Sequence, residues 1–142
     1  MALMSDDVKS EVKEFLQQLE RPVTVAFYPV PGDPASDAIE ELWHDLSDLN
    51  PKLVIEAKTA RPDPIYPETP EELESAVSVF SVDGQPTGIR YLGFPGGHEF
   101  GAMLEALRDV SRNTPPELTE GTRAYLEHVT TPIHLEVFVT PT

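Results

Sequence analysis

The chain contains no cysteine. That absence excludes structural disulfides, thiolate metal sites, thiol nucleophiles and any dithiol–disulfide exchange carried out by this chain alone. Long apolar runs are missing too, and no stretch approaches the roughly 18 uninterrupted apolar residues of a membrane span. Met1 to Glu14 has no basic region followed by an apolar run, so no secretory signal is read there and a cytoplasmic location is expected. Positive charge is scarce: 10 Lys and Arg stand against 25 Asp and Glu, for a net charge of −15. Such a chain repels nucleic acid and anionic membrane, because both are polyanions, and neither is expected as a partner. The acidic excess reads first as solvated helix faces, and as salt adaptation second, since only four of the bases are lysine. Exposed like charges repel less once the Debye length falls to about 3 Å near 1 M salt, so salt is expected to raise the melting temperature.

What is present is a globular pattern. With 142 residues, 39% of them hydrophobic, the chain has the length of one domain or of one small domain and the start of another. A compact chain of that size buries roughly 68–70% of the surface it exposes when unfolded.

Ser5 can cap a first helix, with Val8, Val12, Phe15, Leu16 and Leu19 at helical spacing. Val23 to Tyr28 is β-branched, aromatic and uncharged, which reads as a buried strand. Pro29 to Pro34 is a loop, because each proline fixes φ and removes a donor. Asp33 then caps a second helix running from about Pro34 to Leu49, with Ile39, Leu42, Trp43, Leu46 and Leu49 on its apolar face. Leu53 to Ala57 is a short strand. Residues 61–70 carry four prolines and read as a surface loop, and Thr69 opens a capping box for a short helix. Val77 to Val82 and Ile89 to Gly93 form an antiparallel hairpin around Asp83-Gly84. A helix follows Pro95-Gly96-Gly97, with Phe100, Met103, Leu104, Leu107 and Val110 inward. Asn113 to Pro116 looks like a linker. Beyond it come a helix carrying Leu118, Tyr125, Leu126 and Val129 and a strand from Ile133 to Val139. This tail repeats the helix–strand order of residues 5–28, as an incomplete internal duplication does.

Strands alternating with helices argue for a sheet with a parallel part and helices on both faces, and the hairpin adds an antiparallel pair. In such an open sheet a site forms where the first strand feeds a helix N-terminus, here Pro29 to Ser36. The order β-α-β-α-β-β-α after a leading helix is that of the thioredoxin fold.

One segment is more specific than the pattern. Gly88-Ile89-Arg90-Tyr91-Leu92-Gly93-Phe94-Pro95-Gly96-Gly97-His98-Glu99-Phe100 resembles a segment of two related families. They are the archaeal-type, glutaredoxin-like protein disulfide oxidoreductases and the N-terminal region of the flavoprotein subunit of alkyl hydroperoxide reductase. In both, two thioredoxin-like units lie in tandem, and this segment closes the first. Leu135 to Thr142 is similar to the strand opening the second unit, which the families follow with a Cys-x-x-Cys pair. The resemblance implies an α/β, thioredoxin-like fold with a mixed central sheet over residues 1–112, lacking Cys-x-x-Cys. Residues 113–142 are then a linker with the first helix and strand of a second, truncated unit. It places Asp33 and Ser36 where a first Cys-x-x-Cys stands, and Ala76 where such units carry a cis-proline. Gly88, Arg90, Gly93, Pro95, Gly97, His98, Glu99 and Phe100 are the shared structural positions.

Each feature with a chemical reading also has a plainer one. Asp33 and Ser36 read as a helix cap, because serine needs an adjacent base to act as a nucleophile. His98-Glu99 lacks the second histidine of an H-E-x-x-H helix, since position 102 is Ala102. His44, His128 and His134 are scattered, so no metal or other cofactor is expected. Pro95-Gly96-Gly97 has neither G-x-G-x-x-G spacing nor a Walker lysine and reads as a tight turn. Trp43 and Phe100 read as core.

The expected function is a redox-inactive thioredoxin-like unit, a scaffold for a thiol–disulfide oxidoreductase unit after Thr142. The alternative is a stand-alone, non-catalytic protein-binding module that uses its sheet edge or the loop 61–70. In either case Ile133 to Val139 is an apolar strand that adds to the first unit's sheet or pairs with another copy to make a homodimer.

Overall fold

The computed structural model describes residues 3–59 and 75–140. Helix α1 spans Asp6–Leu16, β1 Val23–Tyr28, α2 Pro34–Leu49, β2 Leu53–Ala57, β3 Val77–Val82, β4 Gln85–Leu92, α3 His98–Arg112 and α4 Glu120–Glu127. The loop expected at 61–70 and the helix expected from Thr69 lie outside the described residues.

The four strands form one mixed sheet in the order β2-β1-β3-β4. β1 sits in its middle, parallel to β2 and antiparallel to β3. The position follows from its composition. Val23, Val25 and Phe27 are fully buried on one side, and no charge interrupts the strand. The turn between β3 and β4 places Asp83 at φ 53° and Gly84 at φ 74°, the paired left-handed residues of a two-residue hairpin. β4 begins at Gln85, earlier than the expected Ile89, because Val82 and Ser81 pair with Gln85 and Pro86 directly across that turn.

Register puts Val23, Val25 and Phe27 on the same side as Leu53, Ile55, Phe80 and Val82. Side chains of α1, α2 and α3 join that side in one core, including Val12, Leu16, Ile39, Trp43, Leu46, Met103 and Leu107. Trp43 meets Phe80 edge-on, with ring centroids 5.8 Å apart, and its indole Nε1 donates to the Ser78 hydroxyl at 2.8 Å. A buried indole N–H without a partner would cost the desolvation of that group, and Ser78 removes the cost. Val77 is buried on the opposite side of the sheet, outside this core.

A latch closes the bottom of the core. The Ser111 hydroxyl accepts from the N–H groups of Glu20 and Arg21 at 2.9 and 3.0 Å and donates to the Arg21 carbonyl at 2.6 Å. The Arg21 guanidinium donates to the Ser111 and Val110 carbonyls at the end of α3 and pairs with Asp83 at 2.9 Å. These bonds satisfy carbonyls that the last turn of a helix leaves without partners. Asn113, at φ 52° and ψ 46°, then ends α3 in the left-handed conformation.

The tail departs from its expectation. α4 forms, capped by the Thr119 hydroxyl on the Thr122 N–H at 3.2 Å, but it buries no residue. Ile133 to Val139 enters no sheet among the described residues. A strand exists only through a neighbour's ladder of hydrogen bonds, and no described strand pairs with this segment. Helix α4 needs no such neighbour, since its backbone bonds close within the segment.

Candidate functional site

The site expected from the sheet topology lies at the N-terminus of α2. Val30-Pro31-Gly32-Asp33 makes a tight turn in which the Asp33 N–H donates to the Val30 carbonyl at 3.2 Å. Proline stands second and Gly32, at φ 77°, third, which is the residue order a type II turn requires. The turn delivers Asp33 to the N-cap position. Its carboxylate accepts from the N–H groups of Ala35 and Ser36 at 3.1 and 3.2 Å. Pro34 follows at the first helical position, where its missing N–H costs no helical bond.

Ser36 is buried, with 1% of its surface exposed. Its hydroxyl donates to Asp33 Oδ2 at 3.2 Å and accepts from the Val30 N–H at 2.9 Å. Both roles of the hydroxyl are thereby filled inside the loop, and neither involves a histidine. The expected reading of Asp33 and Ser36 as a cap matches this geometry. Sequence reasoning did not anticipate the bond from Ser36 back to Val30, which ties the end of β1 to α2.

Ala76 lies at the same end of the sheet, because Tyr28, the last residue of β1, pairs with Val77, the first of β3. It is buried in the core, and its carbonyl accepts from the Gly93 N–H at 2.9 Å. Among the described residues no peptide bond is cis. The position therefore holds the loop between β4 and α3, and its carbonyl already has a partner.

The segment 88–100 builds that loop. Gly88, Gly93 and Gly97 all adopt positive φ, at 84°, 81° and 59°, which explains glycine at each. Pro95 is buried, and Tyr91 packs on Phe80 with centroids 5.5 Å apart. Burial, helped by the nearby Glu99 carboxylate, raises the Tyr91 pKa above its ordinary value of 10.0. Gly97 is the N-cap of α3 with no side-chain cap, so His98 and Glu99 occupy its first turn, where Glu99 complements the helix dipole. Phe100 joins the core. Arg90 faces the side of the sheet opposite the main core, next to Val79. The structure thus spreads the shared positions over a strand end, a loop and a helix start. It does not gather them into one reactive cluster. Among the described residues no group of three potential metal ligands occurs.

No family model matches the chain. Its fold superimposes on the NTD_N/C domain of alkylhydroperoxide reductase AhpF from Enterococcus faecalis with a TM-score of 0.66 at 19% identity, over 85% of this chain and 58% of that one. A protein disulfide oxidoreductase from Aeropyrum pernix K1 gives the same TM-score and identity, over 88% of this chain and 55% of the other. This is a thioredoxin-like fold. In sequence, the thioredoxin-like chain is 28% identical over 143 aligned positions to the alkyl hydroperoxide reductase AhpF of Staphylococcus aureus Mu50, and 26% identical to that of Staphylococcus epidermidis. The alignment takes in 99% of this chain but 25% of either relative, so the chain spans about a quarter of their length. The resemblance read from residues 88–100 and 135–142 is the one these comparisons return.

Chemically, the α2 N-terminus is arranged to hold a helix. A helix N-terminus lowers the pKa of a thiol placed there, which is how a dithiol at this spot gains reactivity. An aspartate at the same spot uses the same N–H groups as hydrogen-bond donors and supplies no sulfur for exchange.

Proposed function

We propose that this chain is a redox-inactive thioredoxin-like unit that serves as scaffold for a thiol–disulfide oxidoreductase unit following Thr142. The observation that carries the reading is the cap. At the one helix N-terminus where this fold concentrates its redox chemistry, Asp33 and Ser36 use their oxygens on backbone groups of the same loop. Alignment with a quarter of AhpF supports placing the chain beside further units, and the disulfide oxidoreductase of like fold supports the class of chemistry. On this reading residues 113–142 are the linker, first helix and first strand of the second unit, and the protein works in the cytoplasm without a cofactor of its own. No described helix is long and apolar enough to cross a membrane.

A second reading, a non-catalytic binding module, is favoured by the exposed tail, where Leu135, Val137 and Phe138 are 83–89% accessible. There the segment 133–139 meets a partner protein or another copy.

Insulin reduction by dithiothreitol tests the inactive assignment. With the chain added, turbidity should rise no faster than with dithiothreitol alone, and acceleration would overturn the assignment. The codons after Thr142 test the scaffold role. A Cys-x-x-Cys within the next few supports it, and a stop codon leaves the binding module.

A further inference from the structure

The outer side of the core is not sealed where α1 and α3 meet. α1 packs on α2, and α3 packs on β1 and β3. Between α1 and α3 runs a groove of about 620 Å³, open to solvent along one side. Buried Val12 and Leu104 form its floor, and Val8, Phe15 and Phe100 line it above them. A second hollow of about 220 Å³ continues it past Leu3, Met4 and Phe94, with Val8 and Phe100 common to both. Among the described residues before the linker, the exposed large hydrophobics are Leu3, Val8, Val54, Leu92 and Phe94. Leu3, Val8 and Phe94, each 39–42% exposed, fall together on this strip. Single surface hydrophobics are ordinary, whereas a clustered apolar strip with a polar rim marks an interaction surface.

The shape suits a helix. Val8 to Phe15 spans about 10 Å of α1, and the second hollow lengthens the strip to about two to three turns of a docked helix. Gly101 on the α3 wall widens it. A Cβ there would meet no atom within 4 Å, so no contact of the described chain requires glycine at a position where it weakens the helix.

The rim sets the charge of the occupant. Glu11 stands on the α1 wall and Glu105 on the α3 wall, both exposed, and His98 stands at one end. No Lys or Arg lines either hollow. The nearby cations are engaged elsewhere. Lys9 is turned to α2, 4.0 Å from Asp45, and Arg108 lies 5.4 Å from the centre of the Phe15 ring and holds Asp109 at 2.9 Å.

We infer that this groove docks a basic amphipathic helix of another protein. Its apolar face covers Val8, Phe15 and Phe100, and its Lys or Arg residues flank that face on both sides, against Glu11 and Glu105. Apolar burial holds the helix, and the two-sided acidic rim selects and orients it. The net charge of −15 draws such a partner in from a distance. Every lining residue lies between Leu3 and Glu105, so the groove owes nothing to residues 113–142. The inference goes beyond the scaffold reading and is independent of the redox assignment, so the insulin assay and the test below can fail separately.

The test is fluorescence anisotropy of a labelled leucine–lysine peptide of about 14 residues, with leucines at helical spacing and lysines on both flanks. Salt is held at about 0.15 M, where the Debye length is about 8 Å and distant charges count little. The full chain should bind it in the micromolar range. A peptide of the same composition with its leucines shuffled off the helical period should bind about tenfold more weakly or worse. Glu11→Lys with Glu105→Lys should weaken binding about tenfold or more, and so should Val8→Asn with Phe94→Asn, which alters exposed side chains of the strip. Glu41→Lys with Asp48→Lys on α2 makes the same change in net charge and should weaken it less than about threefold. Where a reading frame continues past Thr142, the longer protein should bind with the same affinity. Absent binding, or equal binding of the shuffled peptide, would overturn the inference. So would an α2 pair that weakens binding as much as the rim pair, or a strip variant that binds as wild type does. Binding lost in the longer protein would also overturn it, because a following unit would then fill the groove. A peptide-free dimer that the strip variant abolishes would do the same, with a second copy as occupant.

Discussion

β1 and the segment Ile133–Val139 are close in chemistry and opposite in circumstance. Both are short, rich in β-branched and aromatic residues, and preceded by a helix. Val23, Val25 and Phe27 are fully buried between two neighbouring strands and under three helices. Leu135, Val137 and Phe138 stand more than 80% exposed. The difference is the supply of neighbours. β1 has β2 to accept its parallel ladder and β3 its antiparallel one, both within the following residues of the chain. The later segment has no such partner in the described chain, and propensity alone does not make a strand.

The contrast can be broken most forcefully in the core. Trp43→Ala removes the ring that meets Phe80 and leaves Ser78 without its donor, and should cost about 3–5 kcal/mol in urea unfolding. Phe138→Ala, measured on dilute chain, should stay within about 0.5 kcal/mol of wild type. Equal costs would mean that the tail is packed onto the body. Next in size is the latch. Ser111→Ala strands the N–H groups of Glu20 and Arg21 and should destabilise by roughly 2 kcal/mol, read as a fall in melting temperature. A variant as stable as wild type would show that water replaces the hydroxyl there.

Caps sharpen the comparison further. Asp33→Ala should cost about 1 kcal/mol of global stability, since α2 is part of the cooperative core. Thr119→Ala removes a cap of the same kind from α4, yet it should lower helical ellipticity slightly and leave the unfolding midpoint unchanged. The smallest effect concerns pH. The Tyr91 pKa is raised by burial and by Glu99, so the stability it lends is complete below the ordinary tyrosine pKa and is lost as pH rises through the raised value. Tyr91→Phe should therefore lose less stability than wild type between about pH 9 and 11 in parallel urea titrations.

The body was legible because its signals are local. Ser5, Asp33 and the Asp83-Gly84 turn each announce an element boundary through chemistry within three or four residues. Asp33 as cap was equally readable, since aspartate before proline at a helix start has one common use. The bond from Ser36 to Val30 was hidden because it depends on how the Gly32 turn folds back. The Arg21–Ser111 latch was hidden for a different reason: its partners are 90 residues apart, and nothing in either local sequence marks the other. Ile133–Val139 reads as a strand because its pattern is that of one. The pattern records what a strand's side chains need, while the strand itself depends on the edge beside it.

Hydrogen exchange followed by mass spectrometry across a dilution series tests that distinction most directly. At the lowest concentration the Val23–Tyr28 amides should remain protected while those of 133–139 exchange as freely as an unstructured peptide. Protection of 133–139 at the lowest concentration equal to that of β1 would contradict the account, because it would place the segment in a sheet of its own chain.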